Sequence, residues 1–336
     1  MANAVTTEIL PTHTRTLFDA AVQRAVTLLR AGEVVALPTE TVYGLAANAL
    51  DPAAVARIYE IKGRPAHNPI ICHVASLEQA RRCVATWPAL ADKLARAFWP
   101  GPLTLVLPCA EIIPDIVTAG GTTVGVRWPS HPFMQAVIAA CDFPLAAPSA
   151  NLSNQLSPTN ANHVHQQLGG RIRLIVDGGQ AQVGIESTVV DVSVTPPRLL
   201  RPGMIHEEAL LAVTGELAAG ETTGILRSPG QLKKHYSPRA HLLVLRWRDD
   251  ADLLAQLAGR NVIAAEACVI AHATLPGGAG LLRVSVMPHD AEAFARALYA
   301  ELHHCDEAGA RWIIVEALPD ASAWRPIADR LNRASA

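Results

Sequence analysis

The amino-acid sequence predicts an α/β protein in which a large domain with a twisted, mixed sheet precedes a smaller α/β domain. Short apolar runs, which are typical of buried strands, alternate with segments whose apolar residues recur at helical spacing, and the connections between them are short. The 336 residues suffice for two domains. Half of the residues are hydrophobic and 17% are charged, so that a sizeable core can form.

The predicted large domain begins with a helix over residues 17–31, whose apolar periodicity ends at Gly32, a typical helix stop. A short buried strand follows and ends in a turn at Pro38–Thr41. An Asp-Pro pair is typical of a helix start and predicts a helix over 52–62. The later predicted elements are strand 68–76, helices 77–84 and 88–99, strands 101–109 and 122–127, helix 131–141, a strand and loop over 144–151, helix 161–170, and strands 172–179, 187–194 and 198–203.

A break follows, because residues 214–240 contain few large apolar residues and many Gly, Thr and Ser. We therefore predict a large domain over 15–210, a linker over 211–240 and a small Rossmann-like domain over 241–334. The small domain lacks a GxGxxG pattern after its first strand, so that nucleotide binding there has weak support. Its predicted elements are strand 241–247, helix 251–259, strands 262–271 and 281–287, helix 290–309, strand 311–318 and helix 324–335.

Composition and charge exclude several classes of protein. The formal net charge is −2, so that any contact with nucleic acid would have to be local rather than based on overall basicity. The six cysteines form no CxxC pair, which argues against a zinc site. The N-terminus lacks the pattern of a signal peptide, and no apolar run reaches membrane-spanning length without Pro or a charge. We expect a cytoplasmic protein.

Polar residues gather where apolar strands end and loops begin, and such loops are where open α/β sheets bind ligands. If these loops converge, Lys62, Arg64 and Arg127 would meet hydroxyl and amide groups, an arrangement that suits a polyanion such as a nucleotide triphosphate. The sequence contains no Walker A pattern, so that a triphosphate would have to be bound by cationic side chains rather than by a P-loop. The polar residues at these strand ends form four clusters, namely Pro38–Thr41, Lys62–Asn68, Thr123–Arg127 and Pro148–Asn151.

Each of these residues also has a purely structural interpretation. Lys62 and Arg64 are compatible with solvated charges at a helix C-terminus, and His73 with a core histidine. The remaining structural interpretations are turn residues for Thr39, Thr41, Ser149 and Asn151, a surface ion pair for Arg127, surface packing for Tyr236, and caps or strand-end partners for the carboxylates of Glu40 and Glu186.

The order of the motifs is more specific than any single residue. The segments ALPTETVYGLAANAL, IYEIKGRPAHNPIICHV, FWPGPLTLVLP, TVGVRWPSHP, APSANLSNQLSPT, IESTVVDV and LLRPG occur in this order. They resemble the threonylcarbamoyl-AMP synthase family, also called the YrdC-like family, over about residues 15–205. The segment SPGQLKKHYSP and the C-terminal α/β unit look like the longer, two-domain form of that family.

The resemblance implies a fold with a concave cationic cavity and an enzyme that condenses L-threonine, bicarbonate and ATP to L-threonylcarbamoyl-adenylate and pyrophosphate, a nucleotidyltransferase reaction. It implies Mg²⁺ bound through the ATP phosphates without dedicated protein ligands. The family's catalytic signature falls on Lys62, Arg64, Ser149 and Asn151. By similarity, L-threonine would contact Thr41, His73, Arg127, the backbone at Ala147, and Ser187. ATP would contact Arg64, Asn68, Thr123, Ser149, Ser157, Arg201 and Tyr236.

Two further hypotheses concern the linker and the partners. We hypothesise that SPGQLKKHYSP folds over the cavity of the first domain as a lid, the alternative being a passive tether. The product would pass to the machinery that modifies an adenosine next to the anticodon in certain tRNAs. Direct RNA binding and membrane binding are not predicted.

Two other function classes stay open from the residues alone. One is an RNA-binding module without catalysis, although the chain lacks a visible aromatic stacking motif. The other is a carbamoyl-phosphate-using transferase domain of a larger maturation factor, a form that usually carries zinc-finger-type cysteines.

Overall fold

The computed structural model describes residues 5–219, 236–278 and 280–335. These residues form two compact units. The first comprises the described residues within Met1–Ser153 and Ser157–Gln231, and the second comprises those within Asn154–Leu156 and Leu232–Ala336.

The first unit contains an α/β arrangement of strands and helices. In chain order its described elements are β1 (Glu8–Pro11), α1 (Arg15–Arg30), β2 (Val35–Leu37), β3 (Gly44–Asn48), α2 (Pro52–Lys62), β4 (Cys72–His73), α3 (Leu77–Arg82), α4 (Ala89–Phe98), β5 (Leu103–Pro108), α5 (Asp115–Thr118), β6 (Thr123–Arg127), α6 (Pro132–Cys141), β7 (Leu145–Ala146), α7 (Ala161–Leu168), β8 (Leu174–Asp177), β9 (Thr188–Asp191), β10 (Arg198–Arg201), α8 (Glu207–Thr214) and β11 (Ala218–Ala219).

The strands of the first unit form one mixed sheet in the order β1-β8-β2-β3-β7-β4-β6-β5-β9-β10-β11. Pairs such as β2 with β8 and β4 with β6 are parallel, whereas β3 with β7 and β5 with β6 are antiparallel. The predicted α/β class with a mixed sheet is therefore confirmed. The arrangement brings the ends of β3, β7, β4 and β6, which are distant in sequence, next to one another.

The sheet is covered on both faces, as the alternation of its side chains requires. In β2, Val35 and Leu37 belong to one apolar cluster with α1 and α6, whereas Ala36 belongs to the cluster on the opposite face. Between α1 and α6, Phe18 and Phe133 pack edge to face with ring centroids 5.1 Å apart. Burial on both faces explains why these strands read as continuous apolar runs in the sequence.

Helix α2 has well-defined ends, which set the position of the residue that follows it. The Asp51 carboxylate accepts the amide hydrogen of Ala53 at 2.9 Å and caps the start of the helix. Gly63 ends the helix in the left-handed conformation, with φ +60°, which glycine adopts without steric cost. Lys62 is therefore the last helical residue and lies where the chain turns toward β4.

The second unit has its own sheet, in which all pairs are parallel and the order is β12-β15-β13-β14. Tyr236 is almost fully buried here, 6.0 Å from the ring of Tyr299, and the Arg330 guanidinium lies 5.4 Å from the Tyr236 ring centroid. The elements are β12 (His241–Leu245), α9 (Asp250–Gly259), β13 (Ala267–Ala271), β14 (Arg283–Val286), α10 (Ala291–Glu307), β15 (Trp312–Glu316) and α11 (Arg325–Ala334).

The structure differs from the sequence-based elements in several places. The predicted strand 68–76 is reduced to Cys72–His73, because Pro69 has no amide hydrogen and the Ile70 amide bonds to the Val117 carbonyl outside the sheet at 2.8 Å. The predicted strand 262–271 forms only from Ala267 onward, after a 3₁₀ turn. Strands β1 and β3 and helices α5 and α8 were not predicted.

The predicted linker overlaps the first sheet. Helix α8 and strand β11 occupy its first residues, and Ala218 pairs with Arg198 of β10. Residues 220–235, which include Lys233, Lys234 and most of the segment proposed as a lid, lie outside the described residues. Among the residues that the structure describes, no helix has the length and apolar character needed to cross a membrane.

Gly203 gives a test of the packing behind β9. Thr188 exchanges two hydrogen bonds of 3.1 Å with Ile205, which draws the chain after β10 against β9. A Cβ at Gly203 would lie 2.4 Å from the Thr188 nitrogen, so Gly203→Ala should lower the free energy of unfolding by about 2 kcal/mol or more. Urea unfolding measures the change. Gly259→Ala, where a Cβ meets nothing within 4 Å, is the control and should not destabilise; wild-type stability of the Gly203 variant would contradict the packing argument.

Candidate functional site

Lys62 joins the end of helix α2 to the loop that follows β7. Its side chain is buried, and Nζ donates hydrogen bonds to the carbonyl of Ser149 at 2.6 Å, to the carbonyl of Asn151, and to Oδ1 of Asn151 at 3.4 Å. The carbonyl of Lys62 in turn accepts the amide hydrogen of Ser153 at 2.8 Å. The structure therefore brings Lys62 next to Ser149 and Asn151, which lie 87 and 89 positions further along the sequence.

The charge state of Lys62 is governed by opposing effects. Burial, and then the charge of Arg64, lowers the pKa of Lys62 well below its usual value. The three oxygen acceptors match the three hydrogens of an ammonium group and favour the charged form. In its ammonium form the lysine donates its hydrogens to neutral oxygen atoms.

Arg64 is fixed beside Asn68. Its Nε donates to the Asn68 carbonyl at 3.0 Å and its Nη2 to the Pro69 carbonyl at 2.6 Å, while the guanidinium lies 6.0 Å from the Tyr59 ring centroid. The Asn68 side chain is buried, and neither its Oδ1 nor its Nδ2 has a partner among the described residues. Because buried amides are normally hydrogen-bonded, this amide is available for a ligand.

Arg127 lies at the end of β6 and contacts the turn after β2. Its Nη1 donates to Oγ1 of Thr41 at 2.9 Å, its Nε to the Gly101 carbonyl at 3.4 Å, and its Nη2 lies 2.8 Å from Oε1 of Glu40. Both members of this ion pair are buried. The interpretation of Arg127 as part of a surface ion pair is therefore wrong, because the pair lies inside the molecule.

Glu40 is ionised despite its burial. Burial raises the pKa of Glu40, but the charge of the neighbouring Arg127 and the hydrogen bond from the Ser130 amide outweigh this effect and hold the pKa below its usual value. Sequence reasoning gave Glu40 no specific role, because a single carboxylate at a strand end has many structural uses.

His73 lies in β4 beside Arg127 of β6 on one side and Leu145 of β7 on the other. Burial, and then the Arg127 charge, lowers the pKa of His73 to about 3, so that the imidazole is neutral near pH 7. Its Nδ1 has no hydrogen-bond partner among the described residues. His73 is thus a buried histidine, as the structural interpretation expected, but its ring nitrogen is left unsatisfied.

Three buried polar atoms in this group lack a hydrogen bond within the part of the chain that the structure describes. They are Oε2 of Glu40, Nδ1 of His73 and Nη2 of Arg127, the last being near Oε1 of Glu40 but without a well-directed bond. An unsatisfied buried polar atom costs about 1–3 kcal/mol. The grouping of such atoms indicates a place where a polar ligand would supply the missing partners.

Ser187 and Ser157 lie in two further buried contacts. Arg201 of β10 donates from Nε to the Ser187 carbonyl at 2.9 Å and from Nη2 to its Oγ at 3.0 Å. The Ser187 hydroxyl also lies 2.8 Å from Oγ1 of Thr104. Ser157 donates to Oε1 of Glu186 at 2.6 Å. Glu186 was considered as a cap or strand-end partner and here accepts from Ser157, whereas Thr104 was not predicted and only its position in a strand could have suggested it.

Pairing of neighbouring strands connects the Lys62 and Arg127 groups. Ser149 forms a bridge with Gly44 at the start of β3, and the Ala147 amide donates to the Ile71 carbonyl at 3.1 Å.

Thr123 lies at the opposite end of β6 from Arg127, about 13 Å away at the rise of an extended strand. The two ends of one strand thus carry candidate residues for different parts of a ligand.

Two remaining predictions concern Tyr236 and metal binding. Tyr236 belongs to the second unit, where Tyr299 and Arg330 surround its ring. Within the described residues, no group of three or more His, Cys, Asp or Glu side chains could hold a metal ion.

Two family models match the chain. A model described as "Telomere recombination" (Sua5_yciO_yrdC) matches residues 27–203, and a model described as "Threonylcarbamoyl-AMP synthase, C-terminal domain" matches residues 205–336. The first match covers most of the sheet and the loops that carry Lys62, Arg64 and Arg127. The description of the second match names a class of enzymes, the threonylcarbamoyl-AMP synthases. The chain is a member of the threonylcarbamoyl-AMP synthase family, as its motifs predicted.

Relatives with this name cover most of the chain. The threonylcarbamoyl-AMP synthase of Pyrococcus abyssi is 40% identical over 320 residues, which are 91% of this chain and 92% of the relative. That of Bacillus subtilis is 40% identical over 331 residues, or 94% and 93%. The crystal structure of P. abyssi Sua5 complexed with L-threonine superimposes with a TM-score of 0.89 at 38% identity and covers 98% of both chains.

Acidification should destabilise the first unit through His73. Its pKa of about 3 in the folded protein lies below the ordinary value of 6.5, so that unfolding takes up a proton between these values and stability falls as the pH falls. From pH 7 to pH 5 the contribution is about 2 kcal/mol. Urea unfolding of the wild type and of His73→Gln at both pH values measures it. The variant should lose less stability on acidification, and an equal loss in both proteins would contradict the assignment.

Proposed function

We propose that this protein is an L-threonylcarbamoyladenylate synthase with nucleotidyltransferase chemistry, which condenses L-threonine, bicarbonate and ATP. In the first step the threonine amine attacks the carbon of bicarbonate, and a carbamate and water form. In the second step a carbamate oxygen attacks the α-phosphorus of ATP, the bond to the β-phosphate bridging oxygen breaks, and pyrophosphate leaves. The product, threonylcarbamoyl-AMP, would serve the tRNA threonylcarbamoyl-transfer machinery.

The observation that carries this proposal is the buried group of Glu40, Thr41, His73 and Arg127 with its unsatisfied atoms. A guanidinium can bind a carboxylate through two N–H groups, so that Arg127 suits the carboxylate of L-threonine. The neutral His73 offers an acceptor for an amine or hydroxyl hydrogen. The crystal structure of P. abyssi Sua5 complexed with L-threonine supports the same substrate for this chain.

ATP would bind at the cationic loop after α2. Lys62 and Arg64 bring two basic side chains, each positively charged when protonated, to this loop, where Lys62 donates to carbonyl and amide oxygens and Arg64 donates to the carbonyls of Asn68 and Pro69. This charge would stabilise the phosphoryl oxygens as negative charge develops in the transition state. The unpartnered Asn68 amide and the Thr123 hydroxyl supply neutral groups at the same loop and at the start of β6.

Mg²⁺ would enter with the nucleotide. The carboxylates near the proposed site are engaged, Glu40 with Arg127 and Glu186 with Ser157, which fits an ion held by the ATP phosphates rather than by a protein cluster. When bound, the ion supplies charge neutralisation of the phosphates. Ser149, Asn151, Ser187, Ser157, Arg201 and Tyr236 remain proposed contacts on the strength of the family motifs.

Lys62→Met tests the proposal, since methionine keeps the apolar stem and removes the charge. Threonine-dependent release of pyrophosphate from ATP in the presence of bicarbonate should fall by about 10²-fold or more, the effect of removing one transition-state donor. Loss of the donor also leaves the loop carbonyls unpaired, so thermal unfolding must be recorded with each variant.

The exposed Lys93→Met is the matched control and should retain wild-type activity. A wild-type protein that releases no pyrophosphate in response to L-threonine would refute the proposed reaction. A fully active Lys62→Met protein would refute the role of this lysine.

A further inference from the structure

Glu40 is the closest described carboxylate contact of Arg127. Its Oε1 lies 2.8 Å from Nη2 of Arg127 and accepts the amide hydrogen of Ser130 at 3.1 Å. Its backbone carbonyl accepts the amide hydrogen of Val183 at 2.7 Å. The carboxylate therefore contacts the end of β6 and the loop that follows it, while the Glu40 backbone is bonded to the loop after β8.

The orientation of Arg127 depends on these contacts. A guanidinium on a flexible side chain binds a carboxylate well only when its plane is fixed beforehand. Nη1 donates to Thr41, Nε donates to the Gly101 carbonyl over a long 3.4 Å contact, and Nη2 forms an ion pair with the Glu40 carboxylate at 2.8 Å. Of these three contacts, the one to Glu40 joins opposite charges in a buried environment, where their attraction is strongest.

We propose that Glu40 is a positioning residue for the L-threonine carboxylate: it fixes the guanidinium plane of Arg127, and its own Oε2 stays outside that contact. The inference rests on the proposed function, because it presumes that Arg127 binds this carboxylate. Glu40 acts through Arg127 and takes no proton in the reaction. Its loss should therefore weaken recognition of a carboxylate rather than recognition of the rest of the substrate.

Other charged and titratable groups face Glu40 and must be kept in any test. His73 on β4 and His131 at the start of α6 both interact electrostatically with Glu40. Burial lowers the pKa of both histidines, so that both are neutral near pH 7 and leave Arg127 as the cation that opposes Glu40. Measurements at pH 7.5 therefore report on the Glu40–Arg127 pair.

The experiment compares L-threonine with L-threoninamide, which lacks the carboxylate, by calorimetric binding to the full-length protein. Glu40→Gln keeps the shape of the side chain and removes its charge. We expect L-threonine affinity to fall by about tenfold or more and L-threoninamide affinity by less than about threefold, as a misplaced binding group produces. The KM for ATP should remain near the wild-type value. Glu111→Gln, an exposed glutamate in the same unit, is the control.

A parallel loss for both ligands would show that Glu40 only stabilises the fold, and an unchanged L-threonine affinity would show that Arg127 needs no such partner. Either result overturns the inference. If Glu40→Gln fails to fold, Glu40→Asp decides, because it keeps the charge but withdraws it by one methylene. Wild-type selectivity between the two ligands in Glu40→Asp would then overturn the inference. Failure of the proposed function is separate, since it would appear as absent L-threonine binding and absent turnover in the wild type.

Discussion

The hydrogen bonds of the buried Lys62 ammonium hold the candidate site together. Lys62 connects the last turn of α2 to the loop after β7 through its side chain and through its carbonyl, which accepts the Ser153 amide. A buried lysine without acceptors would be strongly unfavourable, and the carbonyls of the partly buried Ser149 and the buried Asn151 would lose a hydrogen bond without this donor. Each side of the contact therefore requires the other, and the end of α2 at Gly63 places Lys62 where both are satisfied.

The two basic side chains Lys62 and Arg127 have partners of different charge. Lys62 bonds to dipolar oxygen atoms, which accept its hydrogens and carry no charge of their own. Arg127 faces the ionised Glu40, which offsets its charge. A site for a nucleotide triphosphate benefits from net positive charge, whereas a site for a zwitterionic amino acid needs a cation for one end and no net excess. The division of charge thus agrees with the proposal that two substrates of different charge bind at adjacent loops.

Short sequence motifs predicted the ends of individual helices and strands, because these ends depend on neighbouring residues in the chain. The Asp-Pro start and the Gly stop of α2 fixed the end of the helix at Lys62, and the strand before Trp128 placed Arg127 at a strand end. The sheet order could not be predicted, because β3, β7, β4 and β6 meet through contacts between distant residues. For the same reason the Glu40–Arg127 pair was missed, since its members are separated by 87 positions and neither has an unusual neighbour in sequence.

The unsatisfied atoms complete the argument about what the site is built to hold. Folded proteins rarely leave buried donors and acceptors without partners, yet Glu40, His73, Arg127 and Asn68 each do so within the described residues. These atoms include donors and acceptors, and three of them belong to one electrostatic group around Arg127. The presence of these atoms agrees with the proposal that the substrates complete the hydrogen bonds of the site. Hydrogen bonds that the free protein lacks would then contribute to the free energy of substrate binding.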